Sequence, residues 1–235
     1  MSGGPAPRRL RAVLFDAAGT LFELREPVGA IYARAAARHG AQIGAWRLDD
    51  AFARVMRQAP PMHFPAAAPA ERDRLERDWW RERVRQTFLA ADSRCASAST
   101  DALFAELFEI FAGAAAWRPR AGAREALEAL RAGGLATGVV SNFDHRLPRL
   151  LASLGLAELL DCVVLARDCD AAKPARTPFE AALDRLGVAP AEAAFVGDDP
   201  DTDLAGARAL GLLAIDVREL ATLADLPARL ERIRR

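Results

Sequence analysis

Residues 13–20 read VLFDAAGT, an apolar run that stops on Asp16 and gives way to two alanines and a Gly-Thr pair. A carboxylate at the end of a buried strand can act as a nucleophile or as a cation ligand. Three further apolar runs lead into polar groups. Ser141 and Asn142 follow LATGVV, Lys173 lies in the loop after CVVLA, and Asp198 and Asp199 follow AAFVG. Each alone reads as a helix cap or a turn. Together they supply an acid, a hydroxyl, an ammonium and an acid pair. In a parallel α/β sheet these would meet at the carboxyl edge, where such sheets bind ligands.

Lys173 is the only lysine, against 31 arginines. A compact ammonium with rotatable donors suits a position that the fork of an arginine would not fit. The acid run Asp199-Pro-Asp201-Thr-Asp203 also imitates the start of a calcium loop. That loop needs Gly at its sixth position and Glu at its twelfth, where this chain has Leu204 and Leu210. Calcium binding by that route is not expected, and Asp201 is expected to cap the following helix.

The elements that must position these groups are legible as alternating patterns. Apolar runs at 11–15, 135–140, 162–165, 193–196 and 212–215 read as strands. From residue 121 onward they alternate with helical segments, AGAREALEALRAGG, RTPFEAALDRLG and DTDLAGARALG, all three ending in glycine and the second also carrying a proline near its start. Strand and helix in alternation predict a parallel sheet covered by helices. Residues 23–116 break the alternation and read as helices over 27–40, 46–58, 70–91 and 99–113, with a proline-rich loop APPMHFPAAAP between the second and third.

Composition narrows the function classes. Half of the residues are apolar and the formal charges cancel, so neither nucleic acid nor an anionic membrane is an expected partner. Cys95, Cys162 and Cys169 are too few and too irregularly spaced for a disulfide framework or a zinc site. A reducing, cytoplasmic setting is expected. The apolar stretch after the basic start MSGGPAPRRLRAV is too short for a signal peptide, and no stretch reaches the about 18 apolar residues of a spanning helix.

The segments FDAAGTLF, VVSNFD, AAKPARTPFE and VGDDPDTD, in that order and with a helical block after the first, resemble the four motifs of the haloacid dehalogenase-like hydrolase superfamily. The third segment is close to the family's K-P-x-P-x-x-F, with Thr177 before the second proline. The likeness covers nearly the whole chain. It implies a three-layer, Rossmann-like parallel-sheet core over 1–22 and 117–235, and an all-helical cap over 23–116 that closes over the site and sets substrate choice.

In the family's phosphatases, the residue matching Asp16 attacks phosphorus and forms an aspartyl-phosphate. The resemblance implies Mg2+ held by Asp16, the backbone carbonyl of Ala18 and Asp198, with Asp203 orienting metal waters. Ser141 and the backbone N–H of Asn142 would meet phosphate oxygens, with Thr20 also on the substrate side. Lys173 would neutralise developing charge.

Ala18 departs from that pattern, because the phosphatases usually carry a second Asp there as general acid and base. Losing such a group typically forfeits about 10²- to 10⁴-fold in rate. Glu23 is the nearest acid beyond the motif and reads as a solvated linker residue. Two branches of the family run without the second acid. Haloacid dehalogenases attack carbon and need no metal, but their closing motif usually lacks the acid pair of GDDPDTD. Phosphonatases, whose D-x-A-G-T matches DAAGT, need a cap lysine, and residues 23–116 contain none. A third group, similar to dehalogenase-like hydrolase domain-containing protein 3, shares the missing acid, the stretch REPVGAIYARAAARHG and the pair Trp79-Trp80.

His39, His63 and His145 read as packed or surface residues, and Tyr32 as packed in the first cap helix. The expectation is magnesium-assisted hydrolysis of a small phosphorylated compound through Asp16. The rivals are metal-independent dehalogenation and a binding protein with little or no catalysis.

Overall fold

The computed structural model describes residues 9–92 and 100–234. Cys95, residue 99 of the fourth expected helix, and most of the basic start lie outside the described residues. The chain divides into two compact units: Met1–Glu23 with Pro119–Arg235, and Leu24–Arg118. Among the described residues no helix is long and apolar enough to cross a membrane.

The first unit is built on five parallel strands: β1 (Ala12–Phe15), β4 (Ala136–Ser141), β5 (Cys162–Leu165), β6 (Ala193–Gly197) and β7 (Leu213–Asp216), in the order β5-β4-β1-β6-β7. Two short strands, β2 (Phe22–Leu24) and β3 (Trp117–Pro119), form a sheet of their own where the chain passes between units. Helices α5 (Ala123–Ala132), α6 (Leu147–Ser153), α7 (Arg176–Leu186), α8 (Ala205–Leu210) and α9 (Leu226–Arg234) accompany the large sheet. All four residues of β1 are buried. Since successive strand residues point to opposite faces, both faces of the sheet are covered, as a parallel sheet requires. This is the α/β, Rossmann-like core that the alternating patterns predict.

The strand register sets the site. Phe15 of β1 is level with Val139 of β4 on one side and with Val196 of β6 on the other. Asp16, Ser141 and Asp198, which lie one or two residues beyond these, therefore leave the sheet at the same edge. One face of the core is locked by Phe179 of α7, fully buried and edge-on to Phe195 of β6 at 5.1 Å. Gly206 lets α8 close on that ring: a Cβ there would lie 2.8 Å from Phe179.

Two helices lie outside the expected patterns. The seven-residue α6 is too short to show a helical period, and α9 follows two single-turn segments, Val217–Glu219 and Leu223–Asp225. The segment read as one helix from DTDLAGARALG begins as a wide π-type turn, Pro200–Leu204, before α8.

The second unit holds α1 (Val28–Arg38), α2 (Ala45–Arg57), α3 (Pro69–Ala91) and α4 (Asp101–Ala112). Tyr32 packs at its centre, stacked on Phe88 and edge-on to Phe52 and Phe111. Trp79 is half-buried and spends its indole N–H on the Pro60 carbonyl at 3.1 Å. His39 pairs with Glu106 at 2.8 Å.

Truncating Phe179 to Ala removes the ring that both Phe195 and Gly206 are shaped around. The variant is expected to lose about 3 to 5 kcal/mol of unfolding free energy, read by urea denaturation.

Candidate active site

At the carboxyl edge of the sheet, three acids surround one ammonium. The backbone N–H of Asp16 continues the β1–β6 ladder by donating to the Val196 carbonyl at 2.9 Å, and this fixes where the side chain starts. Carboxylate oxygens of Asp16, Asp198 and Asp203 all lie within 4.8 Å of one another. Lys173 Nζ donates to Asp16 Oδ1 at 2.5 Å and to Asp203 Oδ1 at 2.7 Å. Lys173 is only 4 % exposed and Asp203 2 %, so neither can trade its partner for water. The ammonium also lies 5.3 Å from the Phe195 ring centre, an added attraction for a desolvated cation.

Local sequence explains how the acids come so close. Gly19 takes φ +91°, a conformation L side chains rarely adopt, and a Cβ there would lie 2.7 Å from Asp198 Oδ2. Gly197 likewise leaves room for the Asp203 carboxylate. Thr20 is buried and donates its hydroxyl to Asp198 Oδ1 at 3.1 Å. Asp203 Oδ2 accepts the Asp199 N–H at 3.3 Å. The turn after Asp16 closes on the Ala17 carbonyl, which accepts the N–H groups of Thr20, Leu21 and Phe22. Ala18 sits in that turn, half-buried and bridged to Phe22.

Charge in this pocket is unbalanced. Burial, and then the Asp16 carboxylate, push Asp203 up to about 6. Burial and Asp16 also raise Asp198. Burial pulls the Lys173 ammonium down, but Asp16 and Asp203 together outweigh it and hold its pKa above the usual lysine value. Three carboxylates against one ammonium leave an excess of buried negative charge. Oxygen-only donors with surplus charge fit a hard divalent cation, and Asp16, Asp198 and Asp203 are the residues that could hold it.

Several predicted side chains have other partners. Thr20, expected on the substrate side, spends its hydroxyl on Asp198. Asn142 is expected to offer its backbone N–H to substrate; its side chain bonds both peptide groups of Lys173: its Oδ1 accepts the Lys173 N–H at 2.8 Å, and its Nδ2 donates to the Lys173 carbonyl at 3.0 Å. Ser141 is buried at the end of β4, and its Oγ accepts the Phe143 N–H at 3.3 Å. The expected cap at Asp201 is corrected. Asp199 caps the turn instead, its Oδ1 accepting the N–H groups of Asp201 and Thr202 at 2.9 and 2.7 Å. Asp199 has the right position because the five-residue π-type turn starts at Pro200, two residues earlier than a helix capped by Asp201 would.

Arg120 was not signalled by any motif. Its Nη1 donates to the Gly19 carbonyl at 2.7 Å, and its N–H donates to the Leu21 carbonyl, so it staples the turn that carries Asp16. A basic residue just before α5 is too common to single out by type, and only the fold brings it to Gly19. Asp144 and Arg146 form a buried pair in the loop after Ser141, with Nη2 2.6 Å from Oδ2. Both lie within five residues of that motif, but their pairing follows from the loop's path.

A model of the haloacid dehalogenase-like hydrolase family matches residues 10–211. The haloacid dehalogenase-like hydrolase domain-containing protein 3 of Mus musculus is 36% identical over 204 residues, which cover 87% of this chain and 80% of that protein. Among solved structures, a HAD phosphatase from Thermococcus onnurineus superposes with a TM-score of 0.62 at 23% identity, covering 94% of this chain and 98% of its own. The L-2-haloacid dehalogenase of Xanthobacter autotrophicus gives 0.64 at 21% identity, covering 94% and 83%. At such identities these two likenesses establish the fold, and phosphatases and dehalogenases share it.

Removing the ammonium and removing one acid should differ in the size of their consequence. Lys173→Met strands buried carboxylates and is expected to cost about 3 to 5 kcal/mol in urea denaturation. Asp203→Asn relieves excess negative charge, and its loss should be clearly smaller in the same measurement.

Proposed function

This chain belongs to the haloacid dehalogenase-like hydrolase family, and from that premise we propose that it hydrolyses small phosphorylated compounds through Asp16 with a bound magnesium ion. The observation that carries this reading is the third carboxylate. Displacement at carbon needs one nucleophilic acid and a cationic partner, which Asp16 and Lys173 would already supply. Half-buried Asp198 and buried Asp203 add negative charge beyond what the displacement step needs, and a divalent cation would balance it.

The chain's own residues divide the work. Lys173 engages Oδ1 of Asp16, which leaves Oδ2 as the attacking oxygen. Attack on phosphorus forms the acyl-phosphate bond to Asp16 and breaks the bond to the leaving oxygen, which departs as an anion and takes its proton from water; a water molecule then cleaves the aspartyl-phosphate, releasing phosphate and regenerating the carboxylate. Lys173 holds positive charge beside the transferring group without a change of partner, which is electrostatic preorganisation. The Ser141 hydroxyl, at the end of the neighbouring strand, would meet a phosphoryl oxygen. Asp16, Asp198, Asp203 and the Ala18 carbonyl would hold the magnesium, which when bound would supply Lewis-acid stabilisation of the anionic phosphoryl group.

Ala18 cannot deliver a proton to the leaving oxygen. Substrates whose leaving group departs as a stable anion, such as aryl phosphates and acyl phosphates, are therefore favoured over alkyl phosphomonoesters.

Release of p-nitrophenol from p-nitrophenyl phosphate should require magnesium and vanish in Asp16→Asn. Chloride release from 2-chloropropionate in the presence of EDTA would instead establish dehalogenation. Silence on both substrates by a folded protein would leave a binding role. Ala18→Asp should raise turnover of alkyl phosphates by about 10-fold or more while changing p-nitrophenyl phosphate turnover little, because only the poor leaving group needs the proton.

A further inference from the structure

Asn142 follows Ser141 directly, a position from which a polar side chain could reach a ligand at the sheet edge. Its side chain is instead committed to another stretch of chain, 31 residues on. The carboxamide accepts the Lys173 N–H at 2.8 Å and donates to the Lys173 carbonyl at 3.0 Å. A side chain that bonds both peptide groups of one residue restrains that residue in translation and rotation, much as a neighbouring strand would. The residue so restrained is the chain's one lysine, which lies in a loop between β5 and α7, outside any ladder. Its ammonium must sit between Asp16 and Asp203 with both distances at or below 2.7 Å. A lysine stem has four rotatable bonds, and the Nζ position is defined only if the backbone at its root is fixed.

We propose that Asn142 is a positioning residue, whose carboxamide clamps the Lys173 backbone and so fixes the ammonium between Asp16 and Asp203. It acts through Lys173 and makes no side-chain contact with substrate. Its amide geometry is what the task requires: one acceptor and one donor on a short, planar group match one N–H and one carbonyl. Asp keeps only the acceptor, and Ala or Ser reaches neither peptide group.

Because Lys173 is the only lysine, protein grown with ¹⁵N-lysine carries one backbone signal and one side-chain signal, both from this residue. In wild type the Lys173 amide should exchange slowly. In Asn142→Ala its exchange should accelerate by about tenfold or more, with a shifted or broadened Nζ signal, since a lost hydrogen bond of ordinary strength is worth about that factor. Asn142→Asp should keep the amide protected while still shifting Nζ, and it serves as the deciding variant if Asn142→Ala does not fold. An unchanged Lys173 amide and Nζ in Asn142→Ala, or equal loss of amide protection in Asn142→Asp and Asn142→Ala, overturns the clamp.

The kinetic arm rests on the hydrolase reading above. With p-nitrophenyl phosphate, kcat should fall about tenfold in Asn142→Ala with KM little changed. A rise in KM at constant kcat means substrate contact and overturns the proposal. Absence of wild-type turnover would count against the hydrolase reading alone, because the labelled lysine decides the clamp without any substrate.

Discussion

One buried ammonium holds the carboxyl edge of this sheet together. Lys173 is almost wholly removed from water, and its Nζ is shared between Asp16 from the end of β1 and Asp203 from the turn after β6. Like charges as close as these acids would otherwise drive one another apart or take up protons. The ammonium makes the arrangement tolerable, but it leaves the cluster short of positive charge. Burial and the neighbouring Asp16 keep Asp198 and Asp203 easier to protonate than free aspartates. The cluster could therefore take one more cation, and its hard oxygen donors suit a divalent one.

Everything around that interaction limits its freedom. The register of β1 against β4 and β6 puts Asp16, Ser141 and Asp198 at one edge within two residues. Gly19 and Gly197 give up side chains where Asp198 and Asp203 need the space. Thr20 orients Asp198, Arg120 ties down the turn behind Asp16, and Asn142 grips the peptide groups of Lys173. These are hydrogen bonds among the protein's own groups, made before any ligand arrives, so little rearrangement is left for the reaction itself. Within this frame Ala18 is the one gap. It stands where the family's phosphatases usually carry a second acid, and under the proposed function this favours substrates that do not need that proton.

The architecture was largely legible before any coordinates. Apolar runs at 11–15, 135–140, 162–165, 193–196 and 212–215 correspond to β1, β4, β5, β6 and β7, because a strand buried on both faces must be apolar throughout. The four long helices of Leu24–Arg118 fall within two residues of their expected limits where described, since each is long enough to show a period. Short α6 offered too few turns for that signal. The segment after Asp199 starts earlier than its sequence suggests, because sequence does not distinguish a π-type turn from the first turn of an α-helix, and the cap falls on Asp199 in place of Asp201.

The sequence by itself determined the α/β class, the order of the strand-end groups and the family to which the chain belongs, because each is written in local periodicity and motif spacing. It could also nominate Asp16, Ser141, Lys173, Asp198 and Asp203, whose residue types are chemically distinctive. Only the tertiary structure decided how the side chains are spent. Thr20 serves Asp198, Asn142 serves Lys173, and Arg120 serves Gly19, a partner 101 residues away. Hydroxyls, carboxamides and guanidiniums bond equally well to substrate, water or backbone. Their choice depends on which groups the fold brings within 3 Å, and no local pattern records that distance.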